Sequence, residues 1–214
     1  MSEFFKSIGH LTIYISVGIA ILYYIGLIRN NKAYKIFTLY LVSIAVVQLG
    51  AYYVGFGGSG KNNLYFSHFY HISQFILLSL FYFELVKRKE IWVVMILVLL
   101  FLGYQFIDNS NIYFEYNPLG MSITQTILVI YSILYFYRCL KDKGDFLIVN
   151  IGIFFYLLSS TLIFASGNLV LNIDVSEEIR LVLVNVNRVL YLVFQILIII
   201  EWYKIYRKNK AVET

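Results

Sequence analysis

The sequence predicts an all-α, polytopic membrane protein, a bundle of seven transmembrane helices with its amino terminus outside and its carboxyl terminus in the cytoplasm. Three observations predict it: an apolar composition, seven apolar stretches of spanning length, and an alternation of charge between successive loops. Of the 214 residues 60% are hydrophobic and only 14% are charged, against about a quarter charged in an ordinary soluble domain. A soluble globule of this size exposes too much of its surface to hide so many apolar side chains. Lipid is the solvent that accepts them. The chain reads as one domain, 1–214, with no appendage large enough to carry chemistry alone.

The apolar stretches run approximately over 8–28, 36–56, 64–86, 91–107, 119–140, 146–169 and 179–206. Each is close to the roughly 20 residues that a spanning helix needs. The fourth is the shortest, and the seventh runs on into a basic tail. Barrel strands would be about 10 residues long with strict alternation. A helix also satisfies its backbone groups within the segment, as hydrocarbon requires. Pro118, the only proline, opens the fifth stretch, where its missing N–H costs nothing. The first stretch has one lysine before it and no small-residue cleavage site, so it reads as a retained helix.

Charge sets the expected orientation. Arg29, Lys32 and Lys35 follow helix one, Lys87–Lys89 follow helix three, and Arg138, Lys141 and Lys143 follow helix five. Lys204, Arg207, Lys208 and Lys210 follow helix seven, making 13 of the 17 basic residues. The alternate loops hold only Lys6, Lys61 and Arg180, with the acids Glu3, Asp108, Glu115, Asp174, Glu177 and Glu178. Basic residues near helix ends stay cytoplasmic. The net charge of +5 therefore reports topology and is not a nucleic-acid signal.

With this orientation each intramembrane polar residue has a depth. His10, Gln48, Tyr52, His68, His71, Gln74, Gln105, Ser122, Gln125, Ser159, Ser160, Ser166, Asn185, Asn187 and Arg188 fall in the outer half. The inner half holds fewer, chiefly Thr38, Ser43, Asn150 and Gln195. Such asymmetry predicts a polar pocket reached from outside, lined by Arg188, Asn185, His71, Gln74, His68, Gln125 and Gln48. Arg188 is the costliest member, at about 2.5–3.5 kcal/mol on insertion scales, and should face the interior or water. No acid at similar depth offers it an obvious partner, which points to a small anionic or lipid-like ligand. The plainer alternative is that Arg188 snorkels and the other polar groups bond helix to helix.

His68, His71 and Gln74 share a stripe of helix three by their spacing. With His10 the histidines are geometrically able to supply the three protein ligands of a catalytic zinc site. That set lacks an acid, so no cofactor is expected and the chemistry leans away from an enzyme. Glu84 and Glu201 sit beside basic loops and read as interfacial ion-pair partners. The tyrosines and tryptophans near helix ends read as an interfacial belt. The run Gly55–Gly60 reads as an outer loop without the strand or Lys-Ser pair of a phosphate-binding loop.

Helix seven lacks the mid-helix lysine of a retinal pigment and the histidine pair of the seven-helix zinc hydrolases. The only Gly-Ser-Gly turn of rhomboid type, Gly58–Gly60, falls in a loop, and one proline excludes a SWEET pattern. Three stretches, HISQFILLSLFYFEL (71–85), VNIGIFFYLLSSTLIF (149–164) and VNVNRVLYLVFQILI (184–198), resemble a group of seven-span membrane proteins of similar length from Bacteroidota. Those proteins look like freestanding versions of the membrane input modules of histidine kinases. They tend to carry glutamate where Gln74 stands here. The resemblance implies a multi-pass protein of a bacterial inner membrane with a membrane or cytoplasmic signalling partner, and offers no activity to carry over. The expected function is a non-enzymatic receptor or sensor subunit. The alternatives are an accessory or scaffolding subunit and, behind it, a metal-dependent lipid-modifying enzyme.

In a Cys139→Ser background, a cysteine at position 61 should react with a membrane-impermeant maleimide on intact cells. One at position 89 or 210 should react only after permeabilisation. The reverse pattern contradicts the orientation.

Overall fold

The computed structural model describes residues 2–56, 63, 65–109, 112–113, 117–142, 144–171 and 177–213. Side chains are described for 7–55, 63, 65–109, 112–113, 117–142, 144–163, 178 and 181–211. Among these residues the chain forms seven helices: α1 (Ser2–Ile25), α2 (Lys32–Phe56), α3 (Tyr65–Val86), α4 (Glu90–Asp108), α5 (Pro118–Cys139), α6 (Leu147–Leu171) and α7 (Glu177–Glu213). Six of them are long and apolar enough to cross a membrane, and the described side chains of α6, Leu147–Ile163, are apolar as well. The protein is an all-α polytopic membrane protein. Gly55 and Phe56 of the expected glycine loop belong to α2, and its residues 57–60 lie outside the described residues.

Six helices close a ring in the order α1, α2, α3, α5, α6, α7, with α7 returning to α1. α4 packs outside it against α3. Its buried residues Ile91, Met95, Val98 and Leu102 follow three- and four-residue spacing and so form one stripe. Its other face exposes Val93, Leu97, Leu100 and Tyr104, the side an all-apolar helix turns to lipid.

Local chemistry explains the turns. α1 stops three residues earlier than its apolar run, because Gly26 admits the Tyr34 hydroxyl where a Cβ would collide. Asn30 then donates to the Gly26 carbonyl at 2.7 Å, and Asn31 accepts from the Tyr34 N–H at 2.9 Å to start α2. α5 begins at Pro118 as expected, with Asn117 accepting from the Gly120 N–H at 2.9 Å. α4 and α5 are joined there by an Asn117–Gln105 bond of 3.0 Å.

The connections that follow α1, α3 and α5 meet at one end with the tail of α7. Glu84 takes Lys32 at 2.7 Å and also Lys87. Lys208 reaches Asp145 at 3.2 Å, and Asn209 donates to Asn30 at 3.0 Å. We call this the basic end. Just inside it a plug of rings fills the bundle: Phe37, Phe81 and Phe146 lie with centroids 5.0–6.0 Å apart, and Tyr23 stacks on Tyr34 at 5.0 Å. Phe146 adopts a left-handed backbone, φ 67°, which costs about 1–2 kcal/mol for a residue with a Cβ. Its side chain is 1% exposed, and the burial offsets that cost.

Glu201 anchors the same region. It is an ion-pair partner as expected, meeting Lys204 at 3.1 Å, yet it is fully buried rather than interfacial. Its Oε2 accepts from the Ile148 N–H at 2.8 Å and lies 3.4 Å from that of Val149. A carboxylate of α7 thus caps the first turn of α6, whose N–H groups have no intrahelical acceptor and carry the positive end of the helix dipole. Glu201→Ala should lower unfolding stability in detergent by about 2–3 kcal/mol, with Glu201→Gln losing less because an acceptor remains. Equal stability of Glu201→Ala and wild type would contradict the capping role.

Candidate functional site

The sequence expects one outer pocket; the structure distributes its residues over four contacts around the ring. The first is a stripe of α7 facing α1. Asn185 accepts from Arg188 at 3.4 Å, and the Arg188 guanidinium lies beside Gly9 of α1. Both side chains are half-buried at the end away from the basic loops. Further along the stripe Gln195 donates to the Thr12 carbonyl at 2.8 Å and to the Ser16 hydroxyl at 2.7 Å. Asn185, Arg188, Tyr191 and Gln195 thus share one face of α7, as their three- and four-residue spacing requires, and α1 is what that face meets.

The second contact is the middle of the ring. Gln48 of α2 donates to the Tyr191 hydroxyl at 2.8 Å, and Ser16 lies 3.2 Å from the same oxygen. Gln74 of α3 is buried and donates to the Tyr40 hydroxyl at 3.4 Å. The Tyr70 hydroxyl is within hydrogen-bonding reach of those of Tyr156 and Tyr191. Four tyrosines from α2, α3, α6 and α7 thus meet three glutamines and a serine in the middle of the ring. A void of about 10 Å³ beside Ser16, Tyr40 and Gln195 is on the scale of one water. The Gln195 amide is oriented without ambiguity, because a backbone carbonyl only accepts. Its Oε1 is therefore a buried acceptor, and it has no partner among the described residues.

His68 and His71 form the third group. They line a void of about 20 Å³ between α3, α4 and α5, with Phe106, Asn117 and Thr124. His68 meets Phe106 edge to face at 5.3 Å, and the buried Nδ1 of His71 has no hydrogen-bond partner among the described residues. Fourth, Gln125 accepts from Thr161 at 3.2 Å and joins α5 to α6. His10 sits against Tyr52 at 5.4 Å, in the α1–α2 contact. The histidines accordingly do not converge as the zinc alternative requires. Among the described residues no three His, Cys, Asp or Glu side chains gather to hold a metal ion. Ser166 and Arg180 lie outside the described side chains.

Nearer the basic end Asn150 is fully buried, accepts from Tyr82 at 2.7 Å and donates to the Ser132 carbonyl at 3.2 Å. It locks α3, α5 and α6 together. The tyrosine centre escaped the sequence because an interfacial belt accounts for tyrosines at helix ends. The signal was depth: Tyr40, Tyr156 and Tyr191 all lie two turns or more inside their helices.

No family model, curated protein or solved structure matches the chain.

Two substitutions separate bonded from unbonded polar groups. Tyr191→Phe should destabilise the protein by about 1 kcal/mol, typical of an interhelical bond in a membrane. His71→Leu should leave stability unchanged or raise it, because it removes a buried polar atom that lacks a partner. Thermal unfolding in mild detergent reads both, and a stable Tyr191→Phe protein beside a destabilised His71→Leu one would reverse the assignment.

Proposed function

We propose that the chain is a non-enzymatic, receptor-like subunit of a bacterial inner membrane, crossing it seven times with the amino terminus outside. The observation that carries this reading is α7. It is one unbroken helix of 37 residues, about 55 Å long, against a hydrocarbon layer of roughly 30 Å. Along that single rod lie Arg188 and Asn185 near one end, Tyr191 and Gln195 at the polar centre, Glu201 under α6, and the basic tail beyond. A small anionic or lipid-like ligand arriving from outside would meet Arg188 first. A shift of α7 strains its bonds to α1, α2 and α6 together, and moves Lys204–Lys210 where a cytoplasmic or membrane partner would dock. Coupling of this kind needs an element with two arrangements that both ends bias.

A second reading, an accessory subunit held together by its polar residues, is favoured by the water-scale voids and the interhelical bonds around them. Thermal-shift measurements with sulfate, phosphate and anionic lipids, on wild type and Arg188→Ala, distinguish the two. The receptor reading expects stabilisation of the wild type, up to about 2.7 kcal/mol at a hundredfold excess over Kd, and its loss in Arg188→Ala. No response in either protein favours the accessory reading. Equal responses in both exclude Arg188 as the recognition residue.

A further inference from the structure

Among the described residues, ligand-sized openings lie at the basic end. One is a groove of about 370 Å³ between the last turns of α1, the α1–α2 turn and the far part of α7. Its wall is layered by chemistry. Leu22 and Ile25 line it on the hydrocarbon side. Trp202 stands at the middle level, its Nε1–H donating to the Leu22 carbonyl at 2.9 Å and its ring stacked on Tyr206 at 5.4 Å. Arg29, Asn30 and Lys210 line the far side.

That order matches the depth profile of one leaflet: acyl chain, aromatic interface, headgroup. The aromatic level fixes the register, because tryptophan settles at the headgroup boundary with its apolar face inward. Both cations are on the water side of it. The floor is rigid, since Asn209 bonds Asn30 and Asn30 bonds the Gly26 carbonyl. Each of those amide nitrogens retains a second hydrogen to donate. A second opening of about 200 Å³ shares Arg29, Asn30 and Asn209 and continues past the Lys208–Asp145 ion pair, so the headgroup side has room for more than a bare phosphate. Charge, donors and layering all select a phosphodiester attached to acyl chains.

We infer that this α1–α7 groove binds one anionic phospholipid, its phosphate on Arg29 and Lys210 and an acyl chain along Leu22 and Ile25. Basic clefts between helices at the cytoplasmic face recognise anionic headgroups in this way. The site is independent of the Arg188 end, and it holds whichever reading of the polar centre is correct. The lipid then wedges the one seam, α7 against α1, where the ring closes.

Trp202 is a built-in probe, because Trp92 is the only other tryptophan and sits on α4. Trp92→Phe protein is placed in phosphatidylcholine nanodiscs containing a minor fraction of brominated-chain phosphatidylglycerol, or the same fraction of brominated-chain phosphatidylcholine. Preferential quenching of Trp202 by the anionic lipid is expected. Lys210→Gln, an exposed position beyond the packed bundle, should weaken that preference about fivefold, and Arg29→Gln with Lys210→Gln roughly 30-fold. The control Lys89→Gln, with Arg88→Gln, removes the same charge at the same end and should leave quenching unchanged. Equal quenching by the two lipids overturns the proposal, as does an equal loss in the control. Displacement by glycerol phosphate at concentrations matching the lipid would assign the site to a free anion and overturn the lipid as occupant.

Discussion

Everything in this bundle depends on how α7 is fastened to α1. Six helices can form a ring only if the last returns to the first, and in lipid no hydrophobic force drives that return, because acyl chains are as apolar as leucine. The closure is made instead by polar groups. Gln195 holds the Thr12 carbonyl and Ser16, Tyr191 reaches Ser16 and Gln48, and Tyr23 reaches the Ile198 carbonyl at 3.1 Å. Trp202 completes the seam at the basic end. Each bond is modest, yet they lie along one helix, and separating α7 would leave all of them unsatisfied in hydrocarbon at once.

The same fastening explains why the interior is polar and still closed. A tyrosine hydroxyl on an aromatic body fills space as phenylalanine does and also bridges across the ring. Tyr40, Tyr70, Tyr156 and Tyr191 use that property from four different helices. The leftover acceptors, such as Gln195 Oε1, lie beside voids of water size rather than ligand size. Among the described residues, openings large enough for organic molecules lie at the basic end. The polar centre thus serves as a joint between helices, and both proposed binding sites fall at the ends of α7.

Much of the fold was legible because period and length suffice for helices in lipid. All seven helices coincide with the apolar runs; five agree to within four residues at both ends, while α1 starts six residues before its run and α7 ends seven beyond its own. α1 ends early at Gly26, where Tyr34 needs the space. α7 continues to Glu213 because a basic, polar tail still makes a good helix once its upper turns are packed. The shared face of Asn185, Arg188 and Gln195 was legible from spacing alone. Which helix that face meets was not, because spacing within a helix carries no information on neighbours. For the same reason His71 and Arg188, both expected in the outer half, turned out to point to different seams. Glu201 read as an interfacial acid because its depth near Lys204 is visible in the sequence, whereas the start of α6 beneath it is a tertiary fact.

The most direct measurement is a double-mutant cycle across the seam, with Ser16→Ala and Gln195→Leu alone and combined, read as unfolding free energy in detergent. If α7 is fastened to α1 through these groups, the two changes will be non-additive, with a coupling of about 0.5–1.5 kcal/mol. Strict additivity would contradict the account, because it would mean that the ring is closed by something other than the polar seam.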